Sequence, residues 1–158
     1  MHIRHVKAKQ AGHKQSAEDV QEVLSRLCAL KVRGIRQILN YKPDWPRNGF
    51  LGELLENASW RRGFGELKGF DFSFDLQLNP HQFMKAAELL AAHPETPVII
   101  DHLGSPTLED LTERSAQYWQ GLEAIAAQPQ SYMKISMLSY IHPAWDEQEV
   151  VLEPRKAS

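Results

Sequence analysis

The stretch Val98-Ile99-Ile100-Asp101-His102-Leu103-Gly104-Ser105-Pro106 runs an apolar segment straight into a histidine and then into a turn. A histidine at the C-terminal end of a strand stands where α/β folds place their ligand-binding groups. Gly104 lets the chain turn close to a ligand. The competing reading is a core histidine that caps its strand through hydrogen bonds. Other residues offer chemistry at similar places. Arg36 shares a strand face with Gly34 and Ile38, and its planar fork suits a substrate carboxylate, with a salt bridge inside the fold as the alternative. Asp75 and Gln77 lie on the polar face of an alternating segment and line a candidate pocket, with buried structural hydrogen bonds as the bland reading. Asn79 on the same face is better placed as a helix cap. His81 follows in the next loop, within reach of a substrate. Lys134 shares a face with Ser136 and can neutralise an interior carboxylate such as Asp75.

These residues need elements to position them. Ser16-Ala17-Glu18-Asp19 reads as a helix cap, and Val20, Val23, Leu24, Leu27 and Leu30 follow at helical spacing. Cys28 falls in that apolar pattern and reads as a small core residue. Val32 to Leu39 is short, β-branched and strand-like. Residues 41–52 form a long loop marked by Pro43, Pro46 and Gly49, and a short helix is expected between Leu51 and Trp60. Phe72 to Asn79 is the cleanest alternation in the chain. Asn79-Pro80 then starts a helix that runs to about His93, and Pro94 and Pro97 end it. Val98 to His102 is the next strand. Thr107-Leu108-Glu109-Asp110 repeats the capping pattern, and one helix is expected from there to Pro129. Tyr132 to Met137 is a fourth strand, and Tyr140, His142 and Trp145 follow on a loop.

Strands thus begin near residues 34, 72, 98 and 132. That rhythm suits right-handed βα crossovers and a parallel sheet. A doubly wound sheet, covered on both faces, reads as nearly continuous apolar strands. Polar residues gathered toward strand C-terminal ends instead fit the mouth of a (β/α)8 barrel. The expected fold class is therefore α/β, a partial barrel of about half the full strand count. Residues 1–15 hold three histidines and four basic residues and read as a poorly specified lead-in. The barrel segment spans 16–150, and 151–158 reads as a frayed end.

Composition sets the outer bounds. With 158 residues, 42% of them hydrophobic and 24% charged, the chain can bury one substantial core. The net charge of −2, without a basic stripe, argues against a nucleic-acid partner. The single cysteine excludes an internal disulfide and a multi-cysteine metal site. No apolar run approaches a membrane span, and the first 15 residues lack the apolar core of a signal peptide. A cytoplasmic protein without membrane partners is the expectation.

Taken together and in order, GIRQIL (34–39), FDLQLNPHQ (74–82), VIIDHLGSP (98–106) and MKIS (133–136) resemble the amidohydrolase-related proteins. This superfamily group includes fuconolactonase-like and 2-pyrone-4,6-dicarboxylate lactonase-like hydrolases. The resemblance covers roughly residues 16–150 and implies a TIM-type barrel with hydrolytic chemistry at its C-terminal face. It assigns GIRQIL to strand four, FDLQL to strand five, VIIDH to strand six and MKIS to strand seven. It matches His102 to a sixth-strand histidine that polarises the substrate or ligates a metal. The substrate class it implies is a small lactone or amide, attacked by water with an aspartate as general base. Some relatives use a divalent metal such as zinc and some work without one. The family's His-x-His on strand one does not occur in this chain, and no strand ending in aspartate follows MKIS. One histidine cannot by itself hold a catalytic zinc. The chain is therefore expected to resemble the middle of such a hydrolase, with no cofactor and no turnover of its own. Open sheet edges lead us to expect self-association. The alternatives are a non-catalytic module that binds a small carboxylate or sugar acid, and a degenerate remnant.

Overall fold

A computed structural model describes residues 5–7, 17–43 and 52–141. Five parallel strands form one sheet: β1 (His5–Lys7), β2 (Gly34–Ile38), β3 (Ser73–Gln77), β4 (Val98–Ile100) and β5 (Ser131–Met133). Their spatial order is their order along the chain. Between them lie α1 (Ala17–Ala29), α2 (Ala58–Gly65), α3 (Phe83–Ala92), α4 (Leu108–Leu111) and α5 (Ser115–Ala126). When each parallel strand pairs with the next and every crossover is right-handed, all the helices fall on one face. This is how a (β/α)8 barrel wraps, whereas a doubly wound sheet reverses its strand order part-way. The other face is the concave side of a partial barrel.

The register shows which side chains share a face. Arg36 pairs with Asp75, Phe74 with Val98, and Leu76 with Ile100. Phe74, Leu76, Val98 and Ile100 turn outward, and all four are buried under the helices. Phe64 of α2 meets Phe74 edge-on, with ring centroids 5.2 Å apart. Trp60 donates its indole N–H to Gln37 at 2.9 Å, so even a polar outward residue on β2 is satisfied. Phe83 of α3 packs at 5.7 Å from Tyr118 of α5 and lies against Gly121. A β-carbon at Gly121 would come within 2.7 Å of Phe83, so the close approach of α3 and α5 needs glycine there. Each large apolar side chain fully buried in this layer contributes roughly 1.5–3 kcal/mol.

Local signals start the helices where expected. Asn79 precedes a turn of 3-10 helix, Pro80–Gln82, and Gln82 reaches back to accept from the Asn79 backbone N–H at 2.9 Å. Thr107 and Asp110 form the expected capping box ahead of α4. The cap expected at Ser16 lies outside the described residues.

Four expectations need correction. The sheet has five described strands rather than four, because His5–Lys7, inside the stretch read as a lead-in, pairs with Gly34–Arg36. The helix expected from Thr107 onward is two pieces, α4 and α5. It breaks where Arg114 folds back to bind Asp110 and Glu109 and the Thr112 hydroxyl donates to the Leu108 carbonyl. Cys28 is exposed rather than in the core. The covered stripe of α1 is narrow, with Leu24 buried and Val20 and Leu27 partly so, and Cys28 falls at its margin. Val23 and Leu30, read as part of that stripe, are exposed for the same reason.

Candidate active site

The inward face carries a compact polar network. Just past β4 the Asp101 backbone is still extended, and its N–H donates to the Leu76 carbonyl at 3.0 Å. Alternation places Asp101 inward beside Ile99, where its side chain is fully buried. Asp101 Oδ2 lies 2.9 Å from Arg36 Nε, and its Oδ1 lies 2.9 Å from Lys134 Nζ. Lys134 Nζ also donates to Asp75 Oδ2 at 2.5 Å. Two cations thus face two aspartates across β2, β3, β4 and the end of β5. Burial alone would lower the Lys134 pKa, but the hydrogen bonds and charges of Asp75 and Asp101 outweigh it and raise the value. Lys134 is an ammonium at neutral pH and not a base.

His102 sits at the rim of this network on a left-handed turn. His102, Leu103, Gly104 and Ser105 have φ of 56°, 55°, 77° and 49°. Each non-glycine residue held there costs on the order of 1 kcal/mol or more, and such strain gathers at functional sites. The surroundings impose it. The Leu103 N–H donates to the Lys134 carbonyl at 3.1 Å, and the Leu103 carbonyl accepts from the Tyr118 hydroxyl at 3.1 Å. Gly104 is pressed against Phe83 so closely that a β-carbon would stand 2.1 Å from the ring. The helical layer thereby fixes the turn that presents His102.

The His102 ring is held on both sides. Arg36 Nη2 lies 3.0 Å from Nε2, and Ser136 Oγ lies 2.8 Å from Nδ1. Arginine has no acceptor, so Nε2 must carry its lone pair toward Arg36. Arg36 Nη2 also donates to Gln77 Oε1 at 2.8 Å. Burial is the main cause that lowers the His102 pKa; the charges of Arg36 and Lys134 act with it, and Asp101 opposes it. His102 is a neutral imidazole at neutral pH.

Of the residues expected from sequence, the structure joins His102, Arg36, Asp75, Gln77 and Lys134 in this one network. It leaves His81 out: that side chain is exposed on the 3-10 turn and none of these contacts reaches it. Asp101 and Ser136 complete the network. Ser136 shares the Lys134 face, and Asp101 was missed, although the alternation Ile99, Asp101 turns it inward. His142 and Trp145, on the loop expected beyond Tyr140, lie outside the described residues.

The donor set does not fit a divalent metal. Both His102 ring nitrogens are engaged, both Asp101 oxygens face cations, and the nearest charges to His102 include Arg36 and Lys134. Among the described residues no three histidine, cysteine, aspartate or glutamate side chains gather around a common point. A cation could bind His102 only by displacing Arg36 or Ser136.

A family model described as amidohydrolase matches residues 14–157. The chain belongs to the amidohydrolase family. An uncharacterized protein, y4mH of Sinorhizobium fredii, is 29% identical over 120 residues, which are 75% of this chain and 39% of that protein. An amidohydrolase from Burkholderia multivorans, solved with bound zinc, superposes with a TM-score of 0.61 at 22% identity, over 78% of this chain and 44% of that one. The same protein solved with bound HEPES gives 0.59 at 24% identity, over 76% and 42%. These likenesses carry the fold: part of an amidohydrolase TIM barrel. The chain spans less than half the length of these relatives. Among the described residues no helix is long and apolar enough to cross a membrane.

Proposed function

We propose that this chain supplies central strands of an amidohydrolase that adds water to a lactone or amide carbonyl. The observation that carries this reading is His102, held on a strained turn at the C-terminal end of β4 beside Arg36 and Lys134. Four of the chain's residues have roles that follow from their chemistry. Arg36 uses Nε and Nη2 on Asp101, Gln77 and His102, and its Nη1 lies outside those contacts, available for a substrate carboxylate. Lys134 places positive charge where negative charge develops on the carbonyl oxygen. Asp75 and Asp101 hold the two cations in place ahead of the reaction. Water activation falls to an aspartate on another strand, so the chain alone is inactive.

A chimaera tests this directly. Residues 16–141 replace the matching strands of the Burkholderia multivorans amidohydrolase, and hydrolysis is followed by acid release over a panel of lactones and amides. The expected result is turnover that His102→Ala abolishes. A folded chimaera without turnover on any member contradicts the proposal. Saturable binding of a small carboxylate without turnover, lost in Arg36→Ala, would select the binding-module reading instead. β1 and β5 are sheet edges among the described residues, and Tyr132 and Ile135 at the β5 edge are exposed. We expect the isolated chain to self-associate there; a monodisperse monomer in sedimentation velocity would contradict this.

A further inference from the structure

We propose that Ser136 is a ligand-binding hydroxyl that donates to the substrate carbonyl oxygen, and that Arg36 assigns it this role by fixing the tautomer of His102. The proposal rests on the hydrolase reading above and adds a residue to it. At first sight His102 Nδ1 and Ser136 Oγ, 2.8 Å apart, make a base–nucleophile pair of the kind that activates serine. The other side of the ring reverses that reading. Arg36 Nη2 points a hydrogen at Nε2 from 3.0 Å, and a guanidinium can only donate. An Nε2–H tautomer would set donor against donor at that distance. The neutral ring therefore carries its proton on Nδ1 and donates it to Ser136 Oγ.

The serine hydroxyl has one hydrogen and two lone pairs. One lone pair accepts from His102, and the hydrogen remains to be given away. The hydrogen bonds thus run in one direction, from Arg36 to His102 to Ser136, and each polarises the next. Ser136 is partly exposed and two residues beyond Lys134, on the inward face. That hydrogen turns freely about the Cβ–Oγ bond and is left for a ligand on the inward face that also carries Lys134. A hydroxyl that receives a histidine proton cannot also lose its own to that histidine, so Ser136 is a donor and forms no acyl intermediate.

The test uses the full 158-residue chain and 6-oxo-1,6-dihydropyridine-2-carboxylate, a stable cyclic amide with a carboxylate. Nitrogen NMR of the His102 ring at pH 7.5 reads the tautomer, and calorimetry reads the affinity. We expect an Nδ1–H ring, and Ser136→Ala to bind the probe about 3–10-fold more weakly, the loss of one hydrogen bond. Ser136→Thr, which keeps the hydroxyl, should restore most of that affinity, and a merely structural serine would not show this pattern. An Nε2–H ring overturns the inference. Equal affinity of Ser136→Ala and the parent overturns it too, and leaves the hydrolase reading standing. No binding by the parent chain would remove the carbonyl-and-carboxylate reading itself, and the inference with it.

Discussion

The two faces of the sheet are built from the same strands and obey different rules. The outward face is apolar and sealed: Phe74, Leu76, Val98 and Ile100 lie under helices, and the one polar outward group noted, Gln37, has a tailored partner in Trp60. The inward face gathers Arg36, Asp75, Asp101, Lys134 and His102. Asp101 is as buried as Leu76, both at 0% exposure, yet one sits among carbons and the other between two cations. Burial of the first kind stabilises. Burial of the second kind costs desolvation that the ion pairs offset only in part. The outward face folds the chain, and the inward face holds its charges at a cost to stability.

The largest effect should come from the outward face: Leu76→Ala leaves a cavity at the centre of the sheet and should cost about 4 kcal/mol in urea unfolding. Asp101→Ala should cost less, about 3 kcal/mol. It leaves Arg36 and Lys134 without a shared partner, but their side chains are 27% and 41% exposed, and water screens them. An inward-face loss well above the outward one would reverse the assignment of roles.

The smallest effect is a pH dependence. The His102 pKa lies below its ordinary value near 6.5, so below pH 6.5 the unfolded chain takes up a proton that the folded chain resists. Stability should be full above that pH and fall as pH drops from about 6.5 toward the folded value. His93, also lowered chiefly by burial, acts in the same direction. Thermal unfolding at pH 7.5 and 5.5 should therefore show a smaller difference in His102→Gln than in the parent chain, with the His93 contribution remaining in both. An unchanged difference would show that His102 does not feel its surroundings as described.

Much of the outward architecture was legible in the sequence, because alternation, Asn79-Pro80 and the Thr107–Asp110 box act locally. His102, Arg36, Asp75, Gln77 and Lys134 could be placed for the same reason, by strand parity. What escaped depends on distant partners. β1 is three residues of a basic segment, and only pairing with β2 makes it a strand. Asp101 looked like the tail of an apolar run, since its two cations come from Arg36 and Lys134, distant in sequence. The turn at 102–105 announces itself only through Gly104; the positive φ of His102, Leu103 and Ser105 is imposed by Phe83, Tyr118 and Lys134. His81 is exposed at the 3-10 turn and makes none of the network's contacts.

On the proposed reading the inward network exists for a ligand and not for stability. The double variant Arg36→Met with Asp101→Leu tests it most directly, because it removes both members of one ion pair and keeps their bulk. Thermal unfolding and titration with 6-oxo-1,6-dihydropyridine-2-carboxylate are measured on the same sample. The expected result is a fold as stable as the parent or more so, unlike the single Asp101→Ala change, and loss of probe binding. A double variant as destabilised as Asp101→Ala, or one that still binds the probe as the parent does, would contradict it.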